Sequence, residues 1–256
     1  LDMLAHPLLD RGAQLREREV LQAEYLARAR DAETLCDAAV GHATDPAHPF
    51  GGFHAGNRST LPVEDAAFQQ ALLGYHRRFY HTGQIELLLA GREGELQRLA
   101  DQMDAELASH SFVPHEAQPL RWNANAWFRL QLSNAQPRLH LAFVLDQLPE
   151  HSGPALDYLS VWLASEAPGG LSQRLREAGL CQSVKLRTPY WYAGQGVAVI
   201  ELLLAERGVD ARAAVVDAVL DWIGFFSDDA RWQACREEYQ LICERGLQNA
   251  GPLARL

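Results

Sequence analysis

The chain has 256 residues, of which 48% are hydrophobic and 22% charged, and its net charge is −10. This length predicts two domains of ordinary size, and this composition is typical of a globular protein. The acidic balance argues against a nucleic-acid binder, which needs a concentrated basic surface, but it is compatible with a peptide ligand. No stretch approaches the roughly 18 consecutive apolar residues of a membrane helix. We therefore expect neither a nucleic-acid nor a membrane partner.

The first half of the chain is predicted to be mainly helical. Helical periodicity, with many Ala, Leu, Arg, Glu and Gln residues, covers three segments, residues 1–9, 13–36 and 63–79. An apolar run at 85–90 predicts a buried strand, and a further helix is expected over 94–109. Pro114 and Pro119 interrupt both periods, so residues 113–120 are predicted to form a linker.

The second half alternates strand and helix patterns. Strands are predicted at 127–132, 138–145, 184–187, 190–193 and 197–205, and helices at 153–164, 211–226 and 229–248. A further helix follows the break Pro168-Gly169-Gly170 and is predicted to end at Gly179, which is a suitable residue after a helix C-terminus. Strands followed by helices, twice along the chain, predict the α+β class.

Two glutamates share one face of the helix predicted over 13–36. Glu17 and Glu24 are seven residues apart. That spacing is close to two turns and separates them by roughly 10 Å along the axis. One carboxylate could ligate a metal ion while the other supports the ligand shell. The alternative also stays open, because helices dense in Glu and Arg commonly present a solvated face with i,i+4 pairs and no chemical role.

Four motifs follow one another along nearly the whole chain. R-E-x-x-x-x-x-x-E falls on Arg16, Glu17 and Glu24, and H-P-F-x-x-F-x-x-G-N-x-x-T-L runs from His48 to Leu61. A G-R-E turn occupies 91–93 after an amphipathic stretch and an apolar run, and A-P-G-G-L-S-Q-R-L-R-E-A-G-L fills 167–180. This order resembles the inverzincin metallopeptidases of the pitrilysin and insulin-degrading enzyme family, also called the M16 family.

The resemblance implies a zinc site divided between two segments. In such enzymes an H-x-x-E-H motif supplies two histidine ligands and the general base. The resemblance then makes Glu24 the third ligand of a Zn²⁺ ion and Glu17 the partner that hydrogen-bonds a zinc-bound histidine. No H-x-x-E-H occurs in these 256 residues. We therefore expect the chain to be a fragment that lacks this segment and is inactive alone.

The resemblance also implies two successive α+β domains of the M16 type. Residues 1–112 would be the C-terminal part of the first, catalytic domain, and residues 121–256 would be the second domain. Composition and short connections are most similar to the branch that acts in pyrroloquinoline quinone (PQQ) biosynthesis. That branch implies a zinc endopeptidase acting on short peptides in an enclosed chamber, with the PQQ precursor peptide as substrate and the remaining segments of the protease as partners. A non-catalytic scaffold subunit that binds peptides is the alternative.

The four cysteines are scattered and form no C-x-x-C motif. Free thiols in a reducing compartment are therefore expected, which favours the bacterial cytoplasm. A periplasmic location stays open at this point.

Overall fold

The structure is a computed structural model that describes residues 2–89, 91–112, 114, 116–123, 127–132, 136–150, 152–228, 232–233 and 235–249. The chain forms two compact units. Unit 1 comprises Leu1–Ala39 and Gly52–Gln118, and unit 2 comprises Val40–Gly51 and Pro119–Leu256. Helices together with an antiparallel sheet confirm the predicted α+β class. The division into M16 domains around 113–120 stays a prediction, and residues 113 and 115 lie outside the described part.

Unit 1 is built from helices. They are α1 (Asp2–Ala5), α2 (Arg11–Arg28), α3 (Ala32–His42), α4 (Ala66–Phe79) and α5 (Glu93–Glu106), and the last residues of α3 belong to unit 2. Helix α2 begins at a capped end, because an Asp10 carboxylate oxygen accepts the Ala13 N–H at 2.7 Å. The single helix predicted over 13–36 is wrong. A second cap interrupts it, since Asp31 accepts the Thr34 N–H at 2.7 Å and starts α3.

Two predicted strands are also wrong. Residues 85–89 and 127–132 do not form strands, and residue 90 lies outside the described part. A strand needs a neighbour to satisfy its backbone hydrogen-bonding groups, and the described residues provide none for either segment. Several of their apolar side chains are accordingly exposed, with Leu88 at 81% and Trp127 at 75%.

The sheet of unit 2 has three antiparallel strands. They are β1 (Arg138–Leu145), β2 (Cys181–Tyr192) and β3 (Gln195–Leu204), in the order β1-β3-β2. Ala193 and Gly194 join β2 to β3 with positive φ angles of 50° and 75°, as a tight hairpin requires. The strands predicted at 184–187 and 190–193 are one strand. Its register shifts between Arg187 and Tyr190, where Pro189 has no N–H to donate.

Helices cover one face of this sheet. They are α6 (Ser152–Ala164), α7 (Leu171–Glu177), α8 (Glu206–Asp210) and α9 (Arg212–Phe226). A further helix, α10 (Arg236–Asn249), contacts α6, where the ring centroids of Tyr239 and Tyr158 lie 4.9 Å apart. The main core joins Ile200, Leu202 and Leu204 of β3 to residues of α6, α7 and α9. Val197 and Val199 point to the opposite face, because side chains alternate along a strand.

The predicted end of α7 at Gly179 is confirmed. Gly179 has φ +67°, and its N–H donates to the Arg176 carbonyl at 2.9 Å. The Leu180 N–H donates to the Leu175 carbonyl, also at 2.9 Å, which completes a Schellman motif. Helix α9 matches the helix predicted over 211–226. Helix α10 covers most of the one predicted over 229–248, of which residues 229–231 and 234 lie outside the described part.

Among the described residues, no helix combines the length and apolar character that a bilayer crossing requires.

Candidate metal-ligand face

Glu17 and Glu24 lie on helix α2 with exposed side chains. Their spacing puts both on one flank of the helix, as the sequence predicts. Neither forms a hydrogen bond or an ion pair with another described residue, so they are not part of a ladder of intrahelical pairs. The two carboxylates are therefore accessible to a ligand from outside the described part of the chain.

A different face of α2 contacts the segment 53–69. Gln14 exchanges side-chain hydrogen bonds with Gln69 at 2.8 and 3.1 Å, and Arg18 donates to Glu64 at 2.7 Å. The rings of Tyr25 and Phe53 meet edge-to-face with centroids 5.3 Å apart. These positions of α2 are four and seven residues apart, about one and two turns, and therefore follow one line along the helix. We call this line the contact face.

Arg58 contacts α2 both on that line, at Gln22, and away from it, at Glu19. Its backbone N–H donates to the Gln22 side chain at 2.9 Å, and its guanidinium donates to both carboxylate oxygens of Glu19, through Nε and Nη2. The hydrogen bond and charge of Arg58 lower the pKa of Glu19, and those of Arg18 similarly lower the pKa of Glu64. Nothing in the sequence singles out Arg58, because it occupies a variable position of the H-P-F-x-x-F-x-x-G-N-x-x-T-L motif.

The H-P-F-x-x-F-x-x-G-N motif has two structural roles. Its first part lies in unit 2, where Phe50 is buried in a cluster with Val40, Leu120, Val197 and Val199. Its last part is a turn in unit 1, in which the Asn57 side chain accepts the N–H groups of Ser59 and Thr60 at 2.9 and 3.1 Å. The Asn57 turn presents the neighbouring Arg58 to α2.

The buried histidines His48 and His81 form hydrogen bonds with nearby backbone. His48 Nδ1 accepts the Phe50 N–H at 3.1 Å. His81 Nδ1 accepts the Gly83 N–H at 3.2 Å, and its Nε2 lies 2.9 Å from the Arg78 carbonyl oxygen. These contacts give both side chains a local structural role.

Within the described ranges, no three His, Cys, Asp or Glu side chains are close enough together to hold a metal ion. Glu24 fits the role of one zinc ligand, because it is an exposed carboxylate with no competing partner among the described residues. Carboxylate oxygen is a normal zinc donor, but a catalytic site needs two further protein ligands. None of the four cysteines, all of which are described, forms a disulfide, and they are dispersed through the chain.

The protein thus has an α+β fold, and its Glu24 is a candidate for one ligand of a metal site. The family model described as "Peptidase M16 inactive domain" matches residues 68–229. That match covers more than half of the chain, and the chain therefore belongs to the M16 peptidase family. The matched region contains the sheet of unit 2 and the A-P-G-G-L-S motif, whereas Glu17 and Glu24 precede it.

Two named relatives are similar to the chain over most of its length. The chain is 39% identical over 254 residues to "Coenzyme PQQ synthesis protein F" of Pseudomonas protegens, covering 98% of this chain and 30% of that protein. It is 27% identical over 236 residues to "Protease 3" of Escherichia coli, covering 89% of this chain and 24% of that protein. The chain thus spans about a quarter to a third of the length of these relatives.

Solved structures support the fold. Pitrilysin superposes with a TM-score of 0.69 at 22% identity, covering 88% of this chain and 25% of that one. A peptidase M16 inactive domain from Pseudomonas fluorescens superposes with a TM-score of 0.64 at 15% identity, covering 93% of this chain and 57% of that one.

Proposed function

We propose that this chain is part of a zinc-dependent endopeptidase of PQQ biosynthesis and that it contributes one zinc ligand, Glu24. The observation that carries the proposal is the carboxylate of Glu24, exposed and without a partner among the described residues, in a chain of the M16 family. The similarity to PQQ synthesis protein F over 98% of the chain supports the assignment to that pathway.

In this proposal the site is completed by another segment of the protease. That segment supplies two histidine ligands and a glutamate as general base. A zinc ion bound there supplies a Lewis acid and a bound water whose pKa lies near neutrality. Glu24 contributes a negatively charged oxygen ligand from the flank of α2. Glu17 accepts a hydrogen bond from a zinc-binding histidine, which fixes the tautomer and orientation of that ring.

The substrate we propose is a short peptide, namely the PQQ precursor peptide or a fragment of it, cleaved inside an enclosed chamber. Enclosure admits peptides and excludes folded proteins. The acidic balance of the chain favours basic segments at long range. The remaining segments of the protease are the partners, and the bacterial cytoplasm is the proposed location.

A second candidate is supported by the family model that matches residues 68–229, which is described as an inactive domain. In that case the chain is a peptide-binding scaffold, and its two glutamates have no metal. The two candidates differ in whether Glu24 is needed for chelator-sensitive hydrolysis.

The test is a peptidase assay on the intact protein that carries this chain, with and without a metal chelator. We expect Glu24→Gln to lower kcat/KM at least about 100-fold, because a neutral amide is a much poorer zinc ligand. Glu244→Gln, an exposed glutamate on α10, is the matched control and should retain wild-type activity. Chelator-sensitive activity that is unchanged by Glu24→Gln would remove Glu24 from the site.

A further inference from the structure

We infer that Arg58 is a positioning residue for Glu24, acting through Glu19 and Gln22 to fix the orientation of helix α2 about the line along which it contacts the segment 53–69. This inference rests on the proposed zinc-ligand role of Glu24. It concerns a residue at a variable position of its motif that contacts neither the proposed metal nor a substrate.

The contact face of α2 is a narrow line of residues. Successive residues of an α-helix are about 100° apart, so Gln14, Arg18, Gln22 and Tyr25 all fall within about 40° of the direction of Arg18. Each of them contacts the segment 53–69 or its backbone. Contacts arranged along one line hold a helix in place but resist its rocking about that line poorly, because their lever arms about the line are short.

Glu19 lies on one side of the contact face, and Glu17 and Glu24 lie on the other. On the same scale Glu19 lies about 100° to one side of Arg18, whereas Glu17 and Glu24 lie about 100° and 120° to the other side. The Arg58–Glu19 contact therefore attaches α2 to the 53–69 segment at a point away from the line of the contact face. It involves two guanidinium nitrogens and both carboxylate oxygens, which fixes direction as well as distance.

A small rotation of α2 displaces the Glu24 carboxylate by a distance that matters for ligating a metal ion. A carboxylate on the flank of the helix lies at least about 6 Å from the line of the contact face, so a rocking of 10° about that line moves it by at least about 1 Å. Functional groups must be held within about 0.5 Å of their productive geometry. A small rotation of α2 would thus take Glu24 out of ligand distance without unfolding the helix.

The Asn57 turn explains why Arg58 can do this. Asn57 accepts hydrogen bonds from the two residues after Arg58 and thereby fixes the backbone that carries it. The Arg58 N–H is itself bonded to Gln22, so its backbone and its side chain hold two different positions of α2.

The experiment measures the zinc dissociation constant of the intact protein by chelator competition, alongside its melting temperature. We expect Arg58→Ala to weaken zinc binding about 10-fold, the lower end for loss of a group that orients a metal ligand. The melting temperature should change by less than about 2 °C, since an exposed ion pair contributes little to stability. Arg77→Ala, an exposed arginine of unit 1, is the control and should leave zinc affinity unchanged.

Rescue distinguishes positioning from a general structural effect. Arg58→Glu should weaken zinc binding further, and the swapped pair Arg58→Glu with Glu19→Arg should restore it to within about 3-fold of wild type. An unchanged zinc affinity in Arg58→Ala would overturn the inference if Glu24→Gln still abolishes tight binding. If Glu24→Gln itself binds zinc normally, the proposed function fails and the inference fails with it.

Discussion

Adding a single methyl group at Gly208 should destabilise unit 2, whereas the same change at Gly224 should stabilise it. Both glycines are helical, in α8 and α9. A β-carbon on Gly208 would lie 1.9 Å from the Leu180 carbonyl oxygen, while one on Gly224 would meet nothing within 4 Å. Comparing the two substitutions therefore separates the effect of close packing on stability from the effect of helix propensity.

The magnitude follows from that contact. The gap must open by at least about 1.1 Å, the difference between 1.9 Å and the 3.0 Å below which such contacts are essentially never found. Overpacking of this kind costs about 1–3 kcal/mol. The Leu180 oxygen also accepts the Ala205 N–H at 2.9 Å, and loss of that bond adds about 1 kcal/mol. Alanine regains about 1 kcal/mol of helix propensity, so Gly208→Ala should cost about 1–3 kcal/mol and Gly224→Ala should gain up to about 1 kcal/mol.

Hydrogen exchange of the intact protein, followed by mass spectrometry on peptides from 181–204, measures this change locally. A loss of 2 kcal/mol corresponds to about 30-fold faster exchange wherever protection depends on unfolding of unit 2. Exchange in Gly208→Ala that matches or is slower than wild type would refute the close packing of α8 against the turn after α7.

Three further predictions concern the interior of unit 2. Tyr158→Phe should lower the free energy of unfolding by about 1–2 kcal/mol, because the buried hydroxyl donates to the Trp232 carbonyl at 2.6 Å. Chemical denaturation measures this change, and an unchanged midpoint would exclude that bond. Phe50→Ala should cost about 3–5 kcal/mol, seen as a lower melting temperature, since Phe50 is only 3% exposed; a shift below about 1 °C would contradict this burial. Burial raises the pKa of the Cys181 thiol to about 11. The thiol therefore stays protonated at pH 8, where iodoacetamide should label exposed Cys243 first, and equal labelling rates would contradict the burial of Cys181.

The Cys181 shift also gives a pH dependence of stability. The pKa of the Cys181 thiol is higher in the folded than in the unfolded state, so the protonated thiol favours folding. Its contribution to the free energy of unfolding is complete below the unfolded pKa, near 9. Its contribution is lost as the pH rises from that value through about 11. Cys181→Ser should reduce the loss of stability over this interval, measured as melting temperature against pH, and an identical slope in the variant would assign the loss to other groups.

Much of unit 2 could be predicted because its elements carry local signals. The strand at 138–145 alternates apolar side chains and matches β1 residue for residue, and Gly179 marks the end of α7. The break between α2 and α3 also had a signal, the capping residue Asp31, but good helix formers on both sides hid it.

The remaining errors have a non-local cause. Residues 85–90 and 127–132 have strand-like patterns, but a strand forms only where a neighbour pairs with it, and a local pattern does not contain that neighbour. The same limit applies to the candidate site. The positions of Glu17 and Glu24 on one flank followed from their spacing, whereas the contact between Glu19 and Arg58 joins residues 39 apart and could not be derived from either segment alone.

The most direct test of the account is a zinc-bound crystal structure of the intact protein, with the metal located by anomalous diffraction at the zinc absorption edge. We predict a carboxylate oxygen of Glu24 at about 2.0–2.2 Å from the zinc ion, with Glu17 hydrogen-bonded to a histidine ligand. A zinc ion fully ligated without Glu24, or Glu24 facing solvent in the metal-bound protein, would contradict it.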